Sequence, residues 1–183
     1  MALFGLLGRR HERAGFALYT AAVGAARDPV FYERLGVPDT LDGRFDLVGL
    51  HAFLLIRRLR AAPPPGVAVA QAVFDAMFSD MDINLRELGV GDMSVSKRVK
   101  AMWEAFHGRA TAYDAALAAG DQAALETAVV RNVFREVPHP GAAEIARIAF
   151  GQAAQLAGQA DADLVGGRVS FVSPTTLLTA QAA

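Results

Sequence analysis

Residues 67–88 read VAVAQAVFDAMFSDMDINLREL, and this stretch decides the fold class. Its large apolar side chains fall at Val67, Phe74, Met77, Phe78, Met81, Leu85 and Leu88, mostly three, four or seven positions apart. That spacing is one stripe of a 3.6-residue helix, whereas a half-buried strand would alternate at every second position. Gly89 and Gly91 end the run. A second long helix is predicted from Asp92 or Ser94, with Val99, Met102, Trp103, Phe106, Tyr113 and Leu117 on one core stripe.

Outward from this pair the helical pattern continues. Gly120-Asp121 is a stop followed by an N-cap, opening a helix to about Arg135. Val137-Pro-His-Pro-Gly141 breaks the chain, and a final helix is predicted over Ala142–Asp163 through Ile145, Ile148, Phe150 and Leu156. On the N-terminal side three prolines within Ala61–Gly66 close a helix predicted over Arg44–Arg60, whose buried side carries Phe45, Val48, Leu54, Leu55 and Leu59. Before it, Gly36–Arg44 is dense in turn formers. Asp28-Pro29 reads as a cap opening a short turn to Leu35, with Gly36 as its C-terminal cap, and Ala14–Arg27 as a helix. The expectation is an all-α single-domain bundle of six or seven helices. Residues 1–13 are expected as a leader, 14–165 as the helical domain, and 166–183 as an extended or poorly ordered tail.

The 183 residues suffice for one sizeable core, and the apolar fraction of 53% is swollen by alanine, which favours helix. A net charge of −1 gives no electrostatic reason to expect nucleic acid. Without cysteine, disulfides and thiol chemistry are excluded. No apolar run reaches bilayer-spanning length, and the N-terminus places its apolar block before its charges, the reverse of a secretory signal. The expected location is therefore cytoplasmic. Leu3, Phe4, Leu6 and Leu7 followed by Arg9, Arg10 and Arg13 are candidates for contact with a membrane interface, against the alternative of packing on the body.

Chemistry finds little purchase. No serine sits in a nucleophile elbow, and no phosphate loop is present. The sharpest chemical rival is a metal- or haem-binding bundle using Asp75, Asp80 and Asp82 with His51 and His107. Against it, no Glu-x-x-His occurs, and Asp75, Ser79, Asp82 and Arg86 read as a solvated stripe with an Asp82–Arg86 ion pair. His51, among Leu50, Phe53 and Leu54, reads as a core histidine. No cofactor is expected. Lys97, Arg98, Lys100 and Arg109 form a basic side that reads as a solvated face.

Two stretches together carry a resemblance. One runs from Leu18-Tyr19 through Ala26-Arg27-Asp28-Pro29 and Phe31-Tyr32 to Gly36-Val-Pro-Asp-Thr-Leu-Asp-Gly-Arg-Phe-Asp46 and Leu50-His-Ala-Phe-Leu-Leu-Ile-Arg-Arg58. The other is Phe74-Asp-Ala-Met-Phe-Ser-Asp-Met-Asp82, Leu85-Arg-Glu-Leu-Gly-Val-Gly-Asp92, Ser94, Lys97, Ala105-Phe-His-Gly-Arg109 and Tyr113. Over about Ala14–Leu117 the chain resembles the ubiquinol–cytochrome c chaperone family, assembly factors for the cytochrome b-containing respiratory complex. The resemblance implies a non-enzymatic role with cytochrome b, or another subunit of that complex, as partner. The short stretch ahead of the matching region suggests a bacterial member, working at the inner face of the cytoplasmic membrane.

Candidate partner-binding residues are Val37, Pro38, Asp39, Thr40, Asp42 and Arg44 in the turn segment, with Asp75, Asp82, Arg86 and Arg109. For the turn segment the alternative is local structure, Asp39 and Asp42 capping helices and Arg44 pairing with one of them. An apolar client also suggests an exposed Met- and Phe-containing groove, for which Met77, Met81, Met93 and Met102 are candidates beside their use in the core.

Overall fold

α2, Leu41–Arg60, is buried nearly all round, as a helix must be when it forms the centre of a bundle. Thr40 starts it: its Oγ1 accepts from the Gly43 amide at 3.2 Å, satisfying one of the free N–H groups of the first turn. The helix expected from Arg44 therefore begins three residues earlier, and the cap is Thr40 rather than either neighbouring aspartate. The computed structural model describes residues 2–179, with the side chains of 2–7 and of Met93 outside the described set.

Around α2 lie α1 (Ala2–Ala26), α3 (Gly66–Glu87), α4 (Asp92–Ala119) and α6 (Gly141–Ala157). α5 (Gln122–Asn132) joins α4 to α6, and α7 (Asp161–Val165) and α8 (Pro174–Thr179) are short. These eight helices, with no strand among the described residues, make an all-α single domain. α1 offers Ala14, Leu18, Tyr19, Ala22 and Ala26 to the core. Gly15 brings α1 close to α3, since a Cβ there would lie 2.6 Å from the Ala72 carbonyl carbon. Tyr19 donates to Asp80 at 2.6 Å and ties the same two helices. Between α1 and α2 a π-helical turn, Val30–Arg34, is led by Asp28, whose carboxylate accepts from the Val30 amide at 3.0 Å. Gly36 closes it with φ +71°, as a C-terminal glycine should.

Several expectations are corrected. Residues 2–13 are the first half of α1, not a separate leader. The last long helix ends at Ala157, because Gly158 follows and α7 takes up the chain after a break. The tail is extended only over residues 168–173 and then forms α8, with Pro174 and Leu178 buried. It is held by Gln159, which donates to the Ser170 carbonyl at 2.8 Å and accepts from its amide at 3.0 Å. Phe171 lays its ring edge-on to His51 at 5.5 Å. Trp103 leaves the predicted core stripe and is 44% exposed, and Phe16, Val67 and Leu88 are exposed as well. Met77 and Met81 fill the core instead of a groove.

Candidate functional site

α2 carries two buried polar side chains, Asp46 in its first half and His51 at its middle. His51 is fully enclosed, with Nδ1 2.8 Å from the Leu47 carbonyl and its ring edge-on to Phe31. Burial holds the imidazole neutral and lowers its pKa to about 4. Asp46 is enclosed too, and two guanidiniums reach it from distant parts of the chain. Arg109 of α4 contacts Oδ1, and Arg135, just after α5, lies 2.8 Å from Oδ2. Burial lifts the Asp46 carboxyl to about 6, opposed by the two arginines that favour its charged form. Arg135 and Glu136 adopt φ of +53° and +67°, a left-handed pair without glycine. Arg135 also donates to the Asn132 carbonyl, and Asn132 donates to the Tyr113 hydroxyl at 3.3 Å. A strained backbone of this kind persists only where surrounding contacts determine it, and here the ion pairs and hydrogen bonds do so.

The second half of α2 faces a different environment. A groove of about 880 Å³ opens where its last turns, the start of α3, the middle of α4 and the end of α6 leave a gap. Phe53, Phe74 and Phe106 line it, with Trp103 and His107 beside them and Ala110 and Ala153 in the walls. The aromatic rings touch one another, Phe74 to Phe106 at 5.7 Å and Trp103 to His107 at 4.0 Å between centroids. Arg57, Arg58 and Arg60 stand at one end. Arg57 pairs with Asp114 at 2.7 Å, and Arg58 pairs with Asp161 at 2.7 Å while donating to the Leu156 and Gln159 carbonyls.

The residues singled out from sequence are distributed unevenly over this frame. Val37 is buried and its amide donates to the Phe31 carbonyl at 2.9 Å, so it anchors the turn segment and presents no side chain to a partner. Pro38, Asp39, Asp42 and Arg44 are exposed, with Arg44 paired to Asp39 at 2.6 Å. That pairing holds Asp39 below, and Arg44 above, their usual ranges. Asp75 is exposed and accepts from Gln71 at 2.8 Å. Arg86 bridges Asp82, at 2.6 Å, to Asp92, stapling the end of α3 to the start of α4. Arg109 is committed to Asp46 and leans over the Phe45 ring at 5.7 Å, so it does not join the basic side of Lys97, Arg98 and Lys100. Arg9 and Arg10 are exposed on α1, while the side chains of Leu3, Phe4, Leu6 and Leu7 lie outside the described residues.

The metal and haem candidates are not brought together. His51 is in the core and His107 on the rim of the groove; Asp80 is taken by Tyr19 and Asp82 by Arg86. Among the described residues no group of three metal-capable side chains forms. Sequence reasoning missed Asp46 and Arg135, and it placed methionines in an apolar groove that phenylalanines, Phe53, Phe74 and Phe106, line instead. Asp46 alone left a signal, a carboxylate inside an apolar run between Phe45 and Leu47.

The class defined by these features is a helical scaffold with an ion-paired interior and an open aromatic groove. A model of known proteins described as "Ubiquinol-cytochrome C chaperone" matches residues 33–171, and the chain belongs to that family. It is similar to the ubiquinol-cytochrome-c reductase complex assembly factor 1 of Xenopus laevis, 23% identical over 67% of this chain and 61% of that protein. It is also similar to the mitochondrial protein CBP3 of Saccharomyces cerevisiae, 30% identical over 79% of this chain and 44% of that one. The chain thus spans about half the length of these relatives. The crystal structure of the Cbp3 homolog from Brucella abortus superimposes with a TM-score of 0.84 at 35% identity, covering 95% of this chain and 97% of that one.

Proposed function

We propose that this protein is a non-enzymatic assembly chaperone of the ubiquinol–cytochrome c reductase complex, and that its client is cytochrome b. The observation that carries the reading is the fold shared with the Brucella Cbp3 homolog across nearly the whole chain. The names of the two sequence relatives, an assembly factor of that complex and CBP3, point the same way. The chemistry of the molecule supports binding over catalysis: an open aromatic groove, and an enclosed carboxylate, Asp46, that is occupied by two arginines of the same chain. The Brucella neighbour supports a bacterial setting. The exposed turn residues Pro38, Asp39, Asp42 and Arg44 are a second candidate contact, since polar loops on rigid helices are common recognition surfaces.

Among the described residues no helix is long and apolar enough to cross a membrane. For association with the inner membrane face, the candidate contact is the start of α1, where Arg9 and Arg10 are exposed. The decisive experiment is affinity capture from solubilised membranes of the native host, paired with deletion of the gene. Enrichment of cytochrome b and loss of the assembled complex are expected. Capture without cytochrome b, together with normal complex levels, would refute the proposal. Deleting residues 2–10 should lower liposome binding; unchanged binding removes the membrane contact.

A further inference from the structure

The groove alongside α2 has a chemistry that narrows what can lie in it. Its walls are helices, whose backbone N–H and C=O groups, apart from the last carbonyls of α2 and α6, are paired within each helix. An extended peptide laid there would leave its own backbone groups without partners, at a cost. A helix brings its backbone already satisfied and offers only side chains, which suits a floor of Phe53, Phe74 and Phe106 and close-approach walls of Ala110 and Ala153. The rim leaves apolar surface in water, with Trp103 at 44% and Val67 at 62% exposure.

Charge adds a second constraint. Of the three arginines at the end of the groove, Arg57 is held by Asp114 and Arg58 by Asp161. Arg60 has no carboxylate partner among the described residues. We propose that the groove receives an apolar α-helix of a partner protein, bearing one carboxylate that pairs with Arg60. This goes beyond the cytochrome b reading and does not depend on it: it names a site and the chemistry of its occupant, whichever protein supplies the helix.

Trp103 is the single tryptophan of the chain and stands on the groove, so its emission reports occupancy directly. The probe is a helix-forming leucine–alanine peptide with one glutamate, compared with the same peptide carrying lysine there. The glutamate peptide should shift Trp103 emission to shorter wavelength and bind about tenfold tighter than the lysine peptide, a difference of roughly 1.4 kcal/mol. Arg60→Glu, an exposed change shown to be folded by circular dichroism, should reverse that preference. Ala110→Phe, shown to be folded by circular dichroism, should block both peptides. An unmoved emission, equal binding of the two peptides, or an unchanged preference in Arg60→Glu would overturn the proposal. So would displacement of the glutamate peptide by phosphatidylglycerol vesicles that produce the same shift, which would make the groove a lipid site. Because the probe is synthetic, failed capture of cytochrome b and failure of the groove register separately.

Discussion

The two halves of α2 both meet arginines, and the burial of the carboxylate decides what each arginine does. In the first half Asp46 is wholly enclosed, and Arg109 and Arg135 are drawn in from α4 and from beyond α5 to neutralise it. In the second half the arginines are on α2 itself and their carboxylates, Asp114 and Asp161, keep about half of their surface in water. A buried pair is strongly felt when one partner is removed, because the other charge is left stranded, whereas a solvated pair contributes little. The first half therefore fixes how α4 and the α5–α6 connection sit on the bundle. The second leaves a groove open and, among the described residues, Arg60 without a carboxylate.

The largest effect should come from breaking the enclosed half. Asp46→Ala strands two guanidiniums and is expected to cost about 3 kcal/mol, toward the lower end for buried pairs because Arg135 is half exposed. A urea midpoint within error of the parent protein would show that the ion pairs do not organise the interior. His51, at the middle of α2, should mark the enclosed interior by its pH dependence. Its folded pKa, about 4, lies below the value near 6.5 of an unfolded histidine, so the unfolded chain binds the proton first as pH falls. The stability His51 contributes is present above pH 6.5 and is lost progressively down to about pH 4, at up to roughly 1.4 kcal/mol per pH unit. Asp46, with its pKa lifted, acts in the opposite sense over much of this window and is common to both proteins compared. Subtracting the stability–pH curve of His51→Leu from that of the parent should therefore isolate the histidine slope, and parallel curves would contradict its burial as the neutral form.

A smaller loss, about 1 kcal/mol, is expected for Thr40→Ala, which removes the N-cap of α2 but leaves the Asp46 ion pairs and the groove in place. In the open half, Trp103→Ala should change stability by no more than about 0.5 kcal/mol while reducing capture of the client, the reverse of Asp46→Ala. If stability falls with Trp103→Ala as it does with Asp46→Ala, the distinction between the halves fails. Smallest of all, Asp39→Ala breaks only the exposed pair with Arg44 and should leave the thermal midpoint unchanged. A drop in client capture in that variant would mark the turn segment as a second contact.

Much of the helical frame was readable locally. Met77, Met81 and Leu85 of the predicted stripe lie on the buried face of α3, though Val69 and Val73 complete that face where Val67 and Leu88 are exposed, and Gly36, Gly120 and Asp121 start and stop helices as their conformations require. Asp82–Arg86 formed as an i,i+4 pair because both ends lie one helical turn apart. Such features depend on neighbours within a turn, which the sequence contains. The position of Trp103 was not readable, because helical periodicity places it on the stripe but only the departure of α4 from α2 decides whether anything covers that stripe. The tail was misjudged for a similar reason: Phe171 and Leu178 have nothing to pack on until α2 and α6 have been assembled.

By itself, then, the sequence determined that the chain is helical, where its helices break, and through its long pattern of matched residues the family to which it belongs. Tertiary structure decided which charges are structural and which are free. Asp46 stands 63 positions before Arg109 and 89 before Arg135, and no local rule joins them. Their pairing exists because folding removes Asp46 from water, and a carboxylate without water must find cations wherever the chain can bring them.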